Sequence, residues 1–269
     1  MTEPIAAGPS VMSTFGWVEP DELARVVVLS PHLDDAVLSC GLFLDAHPGT
    51  TVVTVFCGFP AEILDPPNWW SQISGFGPGD DVVAARRAED VRALARLGAH
   101  PHHLDGFPER DLQPEQPVAT PMQVADALAE ALATVEPTLV LVPMGLANPE
   151  HVCVHEAALQ VRARAATAGG DGSGPGWIAY QDIAYHQIPG QLAWRVAKLF
   201  KAAVWPTPVA MPVAADPRAK REAMAEYTSQ VKALEADWGL WRRLDAPTPE
   251  QYWRLDPPPP GWEALIDLV

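Results

Sequence analysis

Short, almost wholly apolar runs alternate along this chain with longer stretches in which apolar residues recur every three or four positions. The runs at residues 25–30, 51–57 and 138–142 have no polar face, which predicts strands buried on both sides of a sheet. Further strands are expected over 100–104, 177–185 and 201–205. Helical spacing marks 36–46, 80–97, 121–135 and 217–231, with Asp80 and Asp81 starting the second of these and Gly98 stopping it. Another helix follows the strand at 138–142 after a proline-broken turn. Strands that alternate with helices call for right-handed crossovers, so the pattern predicts an α/β fold, a mostly parallel sheet flanked by helices on both faces. A single domain over 1–269 is the simplest partition. Its core covers about 25–230, its lead-in 1–20 is polar, and a Gly-rich connector runs over 165–176. From residue 246 prolines dominate, and the tail is expected to be extended and to wrap rather than pack. The loop at 58–79 is longer than compact domains usually carry, which points to function. Its Trp69 and Trp70 are expected to form a substrate wall, with a lid or an oligomer contact as the alternatives.

Charge narrows the partners. The chain has 269 residues and a formal net charge of -16, which argues against a nucleic-acid backbone or an anionic membrane. Its apolar runs are strand-sized, so no membrane span is expected, and Met1 to Val18 lacks the pattern of a secretory signal. Three widely spaced cysteines, Cys40, Cys57 and Cys153, fit buried thiols in a reducing, cytoplasmic setting. A small molecule is the expected partner, and a homo-oligomer is compatible with the sequence.

Candidate chemistry gathers where two strands end. After the first strand, Pro31 breaks the chain, and His32, Asp34 and Asp35 fall in the turn before a helix. Ligands bind at this edge of open α/β sheets. Helix capping explains one acid there. Two adjacent acids behind a histidine also allow His32 and Asp35 to converge on a cation while Asp34 stays free as a base. After the strand at 138–142 the chain repeats this architecture, with His151 and His155 four apart on one helix face. Two histidines and one carboxylate would leave a zinc ion an open position, and a free carboxylate beside it could shuttle a proton to a leaving amine. That chemistry is amide hydrolysis. His100, His102 and His103 are not expected to act as ligands, because strand alternation sends His102 and His103 to opposite faces.

Pro31-His32-Leu33-Asp34-Asp35 resembles the PHxDD or AHPDD signature of the PIG-L (LmbE-like) zinc-dependent N-deacetylases, and Asn148-Pro149-Glu150-His151 resembles their second motif, usually H-P-D-H. Weaker echoes are Arg86-Arg87-Ala88-Glu89, Lys220 and Tyr227-Thr228-Ser229-Gln230, so the likeness covers about 25–230. The resemblance implies a Rossmann-like fold and removal of an acyl group, most often acetyl, from an amino sugar or a secondary-metabolite intermediate. It implies His32, Asp35 and His151 as zinc ligands, with iron(II) or cobalt(II) as alternatives, Asp34 as general base, and Arg86 with Asp111 as substrate contacts. The chain departs from the pattern at Asn148, which can donate a hydrogen bond to an oxyanion but cannot shuttle a proton. Asp34 would then act as both base and acid, or His155 or His186 would assist. Glu150 in place of the usual Asp keeps a carboxylate near the metal. Two other readings stand beside this one. The same site could cleave a thiol-conjugate or peptide-like amide, or the chain could be a metal-free Rossmann-like metabolite-binding protein. No GxGxxG follows the first strand, which counts against the last.

Overall fold

The computed structural model describes residues 16–168, 174–183, 185–241 and 250–258. Among these residues seven strands form one sheet: β1 (Val26–Ser30), β2 (Thr51–Thr54), β3 (His100–His103), β4 (Leu139–Pro143), β5 (Gly176–Tyr180), β6 (Trp205–Val209) and β7 (Tyr252–Asp256). Their order is β3-β2-β1-β4-β5-β7-β6. From β3 to β5 all neighbours are parallel, whereas β7 runs antiparallel to both β5 and β6. The helices are α1 (Asp35–Ala46), α2 (Trp69–Ser74), α3 (Val82–Arg96), α4 (Pro121–Val135), α5 (Pro149–Ala168), α6 (Gln191–Lys201), α7 (Arg218–Ala225) and α8 (Thr228–Trp238). None of them is long and apolar enough to cross a membrane.

Alternation along β1 explains why its run is apolar throughout. Val26 and Val28 join Phe43 of α1, Leu94 of α3 and Met224 of α7 in one core. Val27 and Leu29 join Leu128 of α4, Val154 of α5 and Leu199 of α6 in the other. Both faces of the sheet are therefore covered, as continuous apolar strands require. From β1 the chain winds outward through β2 to β3, then crosses back to place β4 on the other side of β1. The loops leaving β1 and β4 consequently diverge at a topological switch point, where α/β sheets form their ligand crevice.

Four elements differ most from the sequence reading, and the strand expected over 177–185 ends at Tyr180. The strand expected over 201–205 is the end of α6 and a turn, and β6 begins at Trp205. Pro206 and Pro208, which read as a turn, are tolerated because β6 is an edge strand paired only with β7. The tail does pack. Tyr252–Asp256 is inserted between β5 and β6, and just before it Glu250 reaches α1. There the helix kinks at Cys40, and the Glu250 carboxylate accepts hydrogen bonds from the backbone N–H groups of Leu42 (2.8 Å) and Phe43 (3.2 Å) and pairs with Lys220 (2.6 Å). The helix expected over 217–231 is two, α7 and α8, because Glu89 of α3 accepts hydrogen bonds from the Ser229 N–H and from both the Thr228 and Ser229 hydroxyls, starting a new helix. The loop at 58–79 contains α2, whose start is capped by the Asn68 side chain bonded to Ser71 N–H at 2.7 Å.

Candidate active site

The turn after β1 is built by its own side chains. The Ser30 hydroxyl accepts from Ala36 N–H (3.0 Å) and donates to the His32 carbonyl (2.7 Å), and Asp35 Oδ2 accepts from His32 N–H (2.9 Å). This closes a tight loop that forces Asp34 to φ +139°, a region in which non-glycine residues carry strain. The turn after β4 relies on Gly145 (φ +73°), where a Cβ would fall 2.6 Å from Cβ of His155. Asn148 then caps α5 by accepting from Glu150 N–H at 2.8 Å, with Pro149 as the first helical residue.

These turns bring His32, Asp35 and His151 together, each offering one ligand atom within 4.8 Å of the others. His151 is buried, and its Nδ1–H donates to Asp182 Oδ1 at 2.6 Å. That bond fixes the tautomer and leaves Nε2 as a lone-pair donor. Nε2 lies 3.1 Å from Asp35 Oδ2 yet has no hydrogen-bond partner among the described residues. His32 sits between Asp35 Oδ2 (3.1 Å from Nδ1) and Glu150 Oε2 (2.8 Å from Nε2). Burial pushes the His32 pKa down, but these two carboxylates outweigh it and raise it well above the usual 6.5. His151 is likewise raised to about 9, burial being overcome by Asp35 and Asp182. Burial would raise Asp35, but His151 and His32 together hold it well below the carboxylate range. The cluster thus demands positive charge, which protons on the two imidazoles supply when no other cation is present. Two imidazole nitrogens, one of them the orphaned, buried Nε2 of His151, and one carboxylate are a donor set that fits a divalent metal.

Asp34 is arranged differently. Its carboxylate caps nothing and receives no hydrogen bond among the described residues. Burial, and then the charge of Asp35, raise its pKa well above the usual 3.8. A cleft of about 250 Å³ opens beside it, lined also by Asn148, Trp70, Asp111 and Tyr185. Trp70 is held there by its Nε1–H bond to Gln230 at 2.9 Å, whereas Trp69 is 62% exposed and lies outside the cleft lining. Arg86 does not line it either. It is buried behind Glu109, pairing with that carboxylate at 2.9 Å, and Glu109 faces the cleft. His155 and His186 are also absent from the lining, and His155 turns its Nδ1–H to the Pro143 carbonyl at 2.8 Å.

Asp182, Glu109 and Tyr185 were not singled out as site residues from the sequence. Asp182 was findable in principle, since it follows the strand next to β4 and so shares the ligand-binding edge. The histidines at 100–103 stay clear of the site, and His103 instead bonds Asp90 at 2.7 Å.

His155 has a consequence for stability. Burial, reinforced by Arg195, lowers its pKa to about 3. Below pH 6.5 the unfolded chain takes up a proton that the folded one refuses. The stability it contributes is therefore complete above 6.5 and lost progressively as pH falls towards about 3. Denaturant unfolding with chelator present should show wild type losing about 2 kcal/mol more than His155→Gln between pH 6.5 and 5. Parallel losses in the two proteins would assign the acid sensitivity to other groups.

Comparison with known proteins agrees with this geometry. The family model described as GlcNAc-PI de-N-acetylase (PIG-L) matches residues 27–162, from β1 through most of α5. A curated relative from Kineococcus radiotolerans, 1D-myo-inositol 2-acetamido-2-deoxy-alpha-D-glucopyranoside deacetylase, is 25% identical over 209 residues. That match covers 67% of this chain and 52% of the relative, so the chain spans about half the length of the curated protein it matches. The crystal structure of the A40926 pseudoaglycone deacetylase is similar with a TM-score of 0.65 and 26% identity, covering 87% of this chain and 97% of that one. A triple mutant of the deacetylase of the teicoplanin biosynthetic pathway shares the fold at TM-score 0.68 and 24% identity, over 88% and 100% of the two chains. With both motif turns inside the matched region, the chain belongs to the PIG-L family of GlcNAc-PI de-N-acetylases.

Proposed function

We propose that this protein is a metal-dependent N-deacetylase that hydrolyses the acetamide of an amino sugar or of a secondary metabolite bearing one. The observation that carries the reading is the convergence of His32, Asp35 and His151 beside the partnerless, buried carboxylate of Asp34. The names of the Kineococcus relative and the A40926 enzyme supply the bond: each is a deacetylase, the first of a 2-acetamido sugar. His32, Asp35 and His151 would hold the metal, with zinc as the ion their borderline donors suit best. Zinc bound there would polarise the amide carbonyl and acidify a water molecule. Asp34, whose carboxylate lines the cleft beside the three candidate ligands, would accept a proton from the attacking water and deliver it to the departing nitrogen. Asp182 holds the His151 ring in place from behind. Asn148 offers an amide N–H to the developing oxyanion, and the cleft around Trp70 receives the sugar.

Metal analysis and acetate release test this directly. The purified protein should carry about one zinc per chain, lose activity on N-acetyl amino sugars when chelated, and regain it with zinc. A protein that neither carries nor accepts metal would overturn the proposal. Turnover of peptide-like or thiol-conjugate amides in preference to acetamido sugars, read by product mass, would keep the site and change the substrate.

A further inference from the structure

The cleft beside Asp34 is lined by six carboxylates, Asp34, Asp35, Glu109, Asp111, Glu150 and Asp237, and by no lysine or arginine side chain among the described residues. Three of these are already answered. Arg86 neutralises Glu109 from behind, and the His32–His151 cluster, or a cation in its place, offsets Asp35 and Glu150. Asp34, Asp111 and Asp237 form no salt bridge among the described residues, although the charges of His32 and Arg86 reach Asp34. Asp34 is more than nine-tenths buried and faces the cleft without a hydrogen bond, so the charge is not merely a solvated rim. Asp111 and Asp237 lie exposed, one in the 3₁₀ turn Arg110–Leu112 and the other near the end of α8. Low-dielectric walls concentrate such a field, and the chain's net charge of -16 adds to it.

We infer that the cleft selects substrates whose scaffold carries at least one ammonium group in addition to the acetamide, and that it discriminates against phosphate- or carboxylate-bearing ones. The chemistry rests on the deacetylase reading above; the charge preference rests on the cleft itself. A neutral sugar can donate hydroxyl hydrogen bonds to carboxylates, but it does not relieve their mutual repulsion. An ammonium does both. A phosphodiester, such as that of the GlcNAc-PI in the family's description, would instead be placed beside Asp111 and Asp237, which no salt bridge answers among the described residues.

Calorimetric titration of the full chain separates the two readings, because it needs no turnover. The probes are a 2,6-diamino-2,6-dideoxyglucose, glucosamine and glucosamine 6-phosphate, with N-acetyl forms kept for a parallel acetate-release assay. The diamine should bind about tenfold tighter than glucosamine, and the phosphate more weakly than either. Salt at about 1 M, where screening is effective beyond about 3 Å, should erase most of the difference. Asp111→Asn and Asp237→Asn lie on exposed side chains and should each cut the diamine-to-glucosamine preference about threefold, and together about tenfold. Equal affinity for the three probes, tighter binding of the phosphate, or an unchanged preference in the double variant would overturn the inference. A clear charge preference with no acetate released from any N-acetyl probe would uphold it and defeat the deacetylase proposal instead.

Discussion

Replacing Asp34 by Asn should abolish nearly all turnover while leaving the metal-free protein more stable than wild type at neutral pH. The loss in kcat is expected to be about a thousandfold, within the range assigned to a positioned general acid or base. Zinc content should be unchanged, because the carboxylate stands beside the ligand triad and is not one of its three members. The gain in stability comes from the cost of the native arrangement. Asp34 is buried, its carboxylate without a hydrogen bond among the described residues, next to the charge of Asp35 and held at φ +139°. Asn has the same shape without the charge. Because the folded pKa of Asp34 is raised, its ionisation destabilises the fold only as pH rises above the ordinary value of 3.8. In the chelated, metal-free protein Asn should therefore raise Tm at pH 7, by the equivalent of about 1 kcal/mol, and change it little near pH 4. Kinetics, metal analysis and two melting curves decide it. Near-normal activity would remove Asp34 from proton transfer, and loss of zinc in the variant would make Asp34 a ligand.

That a residue so costly to the fold stands at the switch point explains why the site was legible in the sequence. The motif turns after β1 and β4 break local rules: two adjacent acids in one and a glycine that must turn against His155 in the other. Wherever the requirement was local, the sequence carried it. The capping box of α4 between Thr120 and Gln123 sets the start at Pro121, where apolar periodicity also begins. What the sequence withheld was long-range. Arg86 reads as a substrate contact, and nothing local announces that its guanidinium pairs with Glu109, from the loop after β3, whose carboxylate lines the cleft. Trp69 and Trp70 are indistinguishable as neighbours, and only the Gln230 amide of α8 selects Trp70. A seven-residue proline-free stretch between proline clusters gave no sign that Tyr252–Asp256 would sit inside the sheet, because a strand partner chosen across more than 70 residues leaves no local mark.

Removing the His151 imidazole should have the second large effect, and it falls on metal and fold together. In His151→Ala, zinc content is expected to drop below about a tenth of the wild-type value, with activity undetectable, since only two of three protein ligands remain. The chelated, metal-free protein should also lose stability, because Asp35 and Asp182 both lean on this ring, at 3.1 and 2.6 Å, and become buried carboxylates without it. Breaking a buried pair in this way costs about 3–5 kcal/mol. The pH dependence gives the loss a signature. The folded pKa of His151 is raised to about 9, so the stability its proton supplies is complete below 6.5 and disappears as pH rises through about 9. The gap between wild type and variant, measured without metal, should be widest near pH 6 and narrow above pH 9. Asp182→Asn provides the graded control, keeping all three ligands and weakening zinc by about 10- to 100-fold through the loss of ring orientation. Full zinc occupancy in His151→Ala would place the cation elsewhere and remove the triad from the mechanism. A stability gap that widened with pH would instead mean that the ring is neutral in the metal-free fold, with Asp35 and Asp182 sharing protons between themselves.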